Sequence, residues 1–264
     1  MVTLQPLAPE EVLEDWQLLG LPFDGQPKLV ASLTRGTTNQ NYLIAIGGER
    51  LVLRINDPHS NALGIDRERE AVILNAVSDS GLAPKVIFCD PGRGLLVTEY
   101  IAGRHWRPED LTERRRVEQL CGLLQTVHNL KIDLPSFDYV AHIDQYWHQM
   151  LMIGRVTDEA AIEYQSMRSA AATLQSAGNG PRLCHHDPLP ANIMESAGRL
   201  FLLDWEYAGF GNPLFDFAAL AVDWGISEDL FRFDEQQRTN YCLAEQVYRY
   251  VCRLWCLIKK PAAF

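Results

Sequence analysis

A chain of 264 residues, 47% hydrophobic and 22% charged, is long enough to bury one large core or two smaller ones. Its formal net charge of −10 argues against a nucleic-acid surface, which needs a basic stripe, and suits a small cationic molecule instead. No run approaches the roughly 18 apolar residues of a membrane span. The start MVTLQPLAPEEVLEDW lacks a basic, apolar leader, and the six cysteines show no C-x-x-C pairing. The expectation is a cytoplasmic protein, monomer or homodimer, with no membrane and no nucleic-acid partner.

In chain order, PEEVLEDWQLL over 9–19 predicts an opening helix, with Pro9 in its first turn and acidic residues near the positive end of its dipole. Strands are expected at 28–33, 41–46 and 50–55, the last two joined by Gly47-Gly48 as a hairpin turn. The joint over 34–41 is rich in hydroxyl and amide groups, and Thr37, Thr38 and Asn39 are candidate donors to phosphate oxygens. A polar hairpin loop would read the same way. In the third strand Leu51, Leu53 and Ile55 share one face, Val52 and Arg54 the other, and a cation inside an apolar strand needs a reason. Arginine binds phosphate through two parallel N–H groups. The helix expected at 65–77 carries Glu70 on the same face as Ile73, Leu74 and Val77, whereas Glu68 lines up with a mixed face. In the protein-kinase pattern the basic residue at such a strand position pairs with a helix glutamate, and Glu70 is the better placed of the two for Arg54, unless it simply sits at the helix rim. Gly81 and Pro84 end that helix, and strands at 86–89 and 95–100 flank Asp90-Pro91-Gly92-Arg93-Gly94.

The second half reads as helices at 111–130, 143–154, 158–177 and 235–257. His128 lies on the stripe Val117, Leu120, Cys121, Leu124 and reads as a hydrogen-bonded core histidine. Between the third and fourth helices, CHHDPLPANIMESAGRLFLLDWEYAGFGNPLFD over 184–216 sets out polar groups in the order that phosphoryl transfer uses. Asp187, in a loop stiffened by Pro188 and Pro190, suits orienting the proton of an attacking hydroxyl. Asn192 and Asp204 offer hard oxygen donors for Mg2+, which bridges the phosphates of ATP. Ile193-Met194 and Leu200–Leu203 read as a hairpin, with 195–199 as its turn, that would bring Asn192 beside Asp204. Eleven residues separate Asp204 from Asp216, too few for a long phosphorylatable loop. Asp216 is expected to cap the next helix and to hydrogen-bond the loop backbone. Glu206, Tyr207, Asp223 and Trp224 supply carboxylates and aromatic faces for a cationic acceptor, although Trp224 also suits a helix interior and Tyr207 a packed loop.

CHHDPLPANIM and LLDWEYAGFGNPLFDFAAL resemble the aminoglycoside phosphotransferase and choline kinase superfamily, and Asp-Trp-Glu-Tyr-Ala-Gly resembles its bacterial choline kinase and thiamine kinase branches. The resemblance is strong over 184–224 and weaker over 33–104. It implies an α+β, two-lobed protein-kinase-like fold. Residues 1–101 would form a small antiparallel-sheet lobe with one main helix that holds the nucleotide. Residues 102–264 would form a larger, mostly helical lobe for catalysis and substrate. ATP and Mg2+ are the implied cofactors, with Arg54 where protein kinases have lysine, backbone contacts from Glu99 and Ile101 to adenine, and His185 supporting the loop. The implied activity is phosphate transfer to the hydroxyl of a small cationic metabolite of choline, ethanolamine or thiamine type. An aminoglycoside or macrolide kinase, an inactive nucleotide-binding module, and a metal-dependent hydrolase around His185, His186 and Asp187 stay open as alternatives.

Overall fold

Alternating apolar residues in the first hundred positions form an antiparallel sheet in the computed structural model, which describes residues 7–34, 38–177, 180–231 and 233–259. The opening helix α1 (Pro9–Glu14) gives way to a separate 3₁₀ turn at Trp16–Leu19, because Asp15 leaves helical geometry at φ −96° and ψ 29°. Then come β1 (Lys28–Thr34), β2 (Asn39–Ile46), β3 (Glu49–Asn56), α2 (Arg67–Asp79), β4 (Val86–Asp90) and β5 (Leu95–Glu99). The sheet order is β1-β2-β3-β5-β4, each pair antiparallel. Gly47 and Gly48, at φ 58° and 88°, turn β2 into β3 through a conformation that side-chain-bearing residues resist. Leu51, Leu53 and Ile55 point from β3 into a core shared with Val12, Leu13 and Leu19. On α2, capped by the Asp66 carboxylate at the Arg69 N–H (3.0 Å), the buried face is Glu70, Ile73, Leu74 and Val77. Three of those four are apolar. The fourth is a carboxylate that burial would penalise without a partner.

The remaining elements are β6 (Arg104–His105), α3 (Arg114–His128), α4 (Tyr139–Met152), α5 (Asp158–Ser176), β7 (Arg182–Cys184), β8 (Ile193–Ser196), β9 (Arg199–Leu202), β10 (Gly209–Gly211), α6 (Leu214–Trp224) and α7 (Glu235–Lys259). α4 starts ahead of the expected 143 because Asp138 caps it through the Ala141 N–H (2.9 Å), and Thr157 caps α5 in the same way. α4, α5 and α6 each pack against α7, α3 lies against β7, and β7 pairs antiparallel with β10. β8 and β9 form the expected hairpin with a tighter turn than 195–199. Ala197 and Gly198 take φ 48° and 75°, which closes the turn in two residues.

The chain divides into two compact units. The first holds the chain up to Asn61, then Ile65–Arg104 and Glu195–Glu206; the second holds Ala62–Gly64, His105–Met194 and the chain from Tyr207 onward. An expected boundary at 101/102 falls close to Arg104 but carries no hint that 195–206 belongs with the first unit. The physical reason lies in backbone bonding. The Leu202 N–H donates to the Leu82 carbonyl (2.8 Å) and the Arg199 guanidinium to the Gly81 carbonyl (3.2 Å), which stitches β9 to the turn after α2. Among the described residues no helix is long and apolar enough to cross a membrane, and the six cysteines are unpaired.

Candidate active-site residues

In the first unit, charged side chains from three segments converge. Arg54 on β3 donates from Nη1 to Glu70 Oε1 (2.7 Å) and from Nη2 to Oε2 (2.8 Å), a bidentate pair in which both residues are buried. Arg67, one turn earlier on α2, joins Glu70 Oε2 (2.8 Å) to Glu206 Oε2 (3.0 Å) through Nη1. Its Nη2 donates to Asn39 Oδ1 (2.9 Å). The Asn39 amide in turn donates to Glu206 Oε2 (2.8 Å) and Asp204 Oδ1 (3.2 Å), and Arg54 Nη1 lies 3.5 Å from Asp204 Oδ1. Asp204 itself sits at φ 61°, a left-handed conformation that aspartate tolerates better than most residues.

Two guanidinium groups thus meet three carboxylates. Burial alone would push Glu70 up, but Arg54 and Arg67 more than reverse this and hold it below its ordinary value. Asp204 goes the other way. Burial and the neighbouring Glu206 raise its carboxyl above the usual carboxylate range against the pull of Arg54, although 31% of the side chain remains exposed. Its Oδ2 has no hydrogen-bond partner among the described residues. A carboxylate short of positive charge, with one oxygen left over, has the donor chemistry of a hard divalent cation site.

Several expectations change here. Asn39 opens β2 instead of lying in the loop, and its amide is committed to carboxylates and Arg67 rather than to phosphate. Thr38 is buried, with its carbonyl accepting from the Asp57 N–H (2.9 Å), and Thr37 lies outside the described residues. Glu206 is 3% exposed and engaged by Arg67 and Asn39, so it belongs to this ion cluster and not to an acceptor surface. The Glu99 N–H is already bonded to the Lys85 carbonyl (2.9 Å), whereas Ile101, beyond β5, makes no hydrogen bond among the described residues. Arg67 was not anticipated. Its position three residues before Glu70 on one helix face was the available signal.

In the second unit the loop around Asp187 is organised by Asp216. This fully buried carboxylate accepts the His185 N–H (3.1 Å) and bonds His128 Nε2 (2.8 Å) through Oδ2, and accepts the His186 N–H (2.7 Å) through Oδ1. Burial would raise it, yet these donors and the nearby histidines hold it down at about 2. Pro213, not Asp216, occupies the N-cap of α6, and Asp216 sits in the first turn with its side chain turned to the loop. His185 Nδ1 accepts the Asp187 N–H (3.3 Å). Asn192 Nδ2 donates to the Asp187 carbonyl (2.9 Å) and to its Oδ2 (3.0 Å), which leaves Asn192 Oδ1 without a hydrogen bond among the described residues and chemically suited to a cation.

Trp224 is 6% exposed, donates from Nε1 to the Pro188 carbonyl (2.7 Å) and meets Trp106 edge-on at 6.3 Å. It braces the loop from inside and offers no face to an acceptor. Tyr207 and Asp223 are half-buried and engage different residues of α7: the Tyr207 hydroxyl accepts from Trp255 Nε1 (3.1 Å), and Asp223 Oδ2 accepts the Tyr248 hydroxyl. The His142 ring stands edge-on to Tyr207 at 6.1 Å. The hydrolase alternative loses support, because His186 uses both ring nitrogens, on Tyr139 and the Tyr207 carbonyl, and His185 Nδ1 takes the Asp187 N–H. Among the described residues His128, Cys184 and Asp216 do cluster with ligand atoms within 4.8 Å, but Asp216 is filled by its three donors and burial keeps Cys184 a thiol.

The model of the family described as "Phosphotransferase enzyme family" matches residues 30–253. The chain is 28% identical over 243 residues to Protein LicA of Haemophilus influenzae, covering 85% of this chain and 65% of that relative, so it spans a little under two thirds of the relative's length. Among solved structures it resembles LicA in complex with AMP, with TM-score 0.76, 22% identity and coverage of 95% and 89% of the two chains. The choline kinase LicA from Streptococcus pneumoniae gives TM-score 0.72 at 22% identity, with coverage of 96% and 91%. At these identities the likeness shows the fold, which is that of a kinase.

Glu70→Gln should lower unfolding stability by about 3 kcal/mol, since it leaves buried Arg54 undercompensated; urea denaturation measures this. Asp216 yields a pH prediction. Its folded-state value lies below that of the unfolded chain, so its stabilising contribution is complete above about pH 4 and fades as pH falls toward 2, by about 2 kcal/mol. The stability gap between wild type and Asp216→Asn should therefore shrink between those pH values; a constant gap would contradict the assignment.

Proposed function

The chain belongs to the phosphotransferase enzyme family, and on that premise we propose that it transfers the γ-phosphate of ATP to the hydroxyl of a small cationic metabolite of choline, ethanolamine or thiamine type. The observation that carries the reading is the loop in which Asp187 is fixed by Asn192, His185 and, through the backbone, Asp216. A carboxylate so restrained suits a hydroxyl proton better than a mobile surface residue would. In this mechanism Asp187 orients the acceptor hydroxyl and takes its proton as the new O–P bond forms and the bond to the ADP oxygen breaks.

Arg54, aligned by Glu70, is the phosphate clamp, with second N–H groups on Nη1 and Nη2 beyond those given to Glu70. Asp204 and Asn192 each keep an oxygen suited to Mg2+, which when bound offsets phosphate charge. Glu99 and Ile101 remain candidates for adenine contacts, the latter through its uncommitted N–H. On the acceptor side, the Tyr207 ring and the Asp223 carboxylate supply cation–π and charge attraction for an ammonium or thiazolium group. The net charge of −10 and the choline kinase among the structural relatives support a cationic acceptor. Unpaired cysteines support a cytoplasmic setting.

A coupled ADP assay with choline, ethanolamine, thiamine and kanamycin tests the reading. Stimulation by one or more of the first three is expected; stimulation by kanamycin alone would overturn the acceptor class, and by none of the four the kinase reading. Asp187→Asn should lower kcat by about a thousandfold while ATP binding by calorimetry stays within about twofold, and retained turnover would remove Asp187 as base.

A further inference from the structure

His186 adopts φ 64°, the left-handed region that a side chain with a Cβ disfavours, immediately before Asp187. Such a conformation persists where the surroundings over-determine it. They do so here through the ring. Nδ1 lies 2.9 Å from the Tyr207 carbonyl, and since a carbonyl only accepts, Nδ1 carries the proton. In the neutral ring Nε2 then accepts, and the Tyr139 hydroxyl lies 2.7 Å away to donate. The same hydroxyl oxygen accepts the Asn212 N–H (2.8 Å). Burial pushes the Tyr139 hydroxyl well up, so it stays protonated and available as a donor.

The strand β10 is shaped around this arrangement. A Cβ on Gly211 would run into the Tyr139 hydroxyl and come within 3.0 Å of His186 Nε2, and a Cβ on Gly209 would meet the Phe137 ring at 3.1 Å. Phe137 flanks the imidazole at 4.7 Å, and its N–H donates to the Phe210 carbonyl (2.6 Å). The imidazole is thus a strut: one end is the backbone of the Asp187 loop, tied down at Asp216, and the other is the segment 207–212.

We propose that His186, held by Tyr139 as the neutral Nδ1–H tautomer, is a positioning residue that fixes Tyr207 relative to Asp187 and so sets the affinity for the phosphate acceptor. This rests on the reading of Tyr207 as an acceptor-side residue. His186→Gly keeps the left-handed backbone and removes both ring bonds, Tyr139→Phe removes the hydroxyl alone, and Gly211→Ala pushes the hydroxyl away. Each should raise the acceptor KM about tenfold with ATP KM changed by less than about twofold. A merely structural role predicts instead lower thermal stability with both KM values unmoved, and that outcome overturns the proposal.

A second readout needs no turnover. Long-range 1H–15N NMR of the full-length wild-type protein at about pH 7.5, with the His186 signals assigned by their loss in His186→Gly, should show the neutral Nδ1–H form. An Nε2–H tautomer or an imidazolium there overturns the proposal even if no acceptor has been found. Wild-type turnover with unmoved KM values in the variants would refute this inference alone, and inactivity of the wild type toward every acceptor would refute the function while leaving the tautomer to decide the strut.

Discussion

The buried exchange of hydrogen bonds among Arg54, Arg67, Glu70, Asp204 and Glu206 is the constraint on which the first unit depends. A guanidinium at a strand centre is tolerated only with a partner, and Glu70 supplies both of its oxygens. The consequence reaches beyond one ion pair. Because Arg67 and Asn39 link Glu70 to Glu206 and Asp204, the return segment after β9 is fixed by the same charges that orient Arg54. With three carboxylates against two guanidinium groups, the cluster carries unbalanced negative charge, and its most exposed member is Asp204. That is where a cation would relieve it.

The second unit solves a related problem with hydrogen bonds in place of ion pairs. The loop that carries Asp187 has backbone N–H groups that no strand or helix satisfies. Asp216 takes two of them and is itself held by His128, while Trp224 secures the Pro188 carbonyl and Asn192 the Asp187 carbonyl. Asp187 is therefore set by several independent anchors from α3, α6 and the loop itself. Polar groups fixed before the reaction need little reorganisation during it, and that is the main contribution such a protein makes to phosphoryl transfer.

Much of this was legible in the residues. Periodicity on α2 singled out Glu70 as the inward acid, since Ile73, Leu74 and Val77 fix the buried face. His128 was recognisable as a core residue from its stripe, and the paired glycines marked the β2–β3 turn. What could not be read was which long-range partner each polar group would find. Asn39 looked like a phosphate-loop donor because its neighbours are polar, but β2 begins two residues earlier than its alternation suggests and turns the amide toward Glu206. Glu206 and Trp224 looked like acceptor groups because carboxylates and aromatics suit cations. Their burial depends on contacts with residues far away in sequence, Arg67 and Pro188, which no local pattern encodes.

We propose that Asp204 belongs to a cluster that accepts a hard cation together with nucleotide phosphate. Calorimetric titration of ATP with and without Mg2+, into wild-type protein and Asp204→Asn, tests it most directly. Mg2+ is expected to tighten ATP binding at least about tenfold in the wild type, and this gain to disappear in the variant. Equal ATP affinity with and without the metal, or an undiminished metal effect in Asp204→Asn, would contradict it.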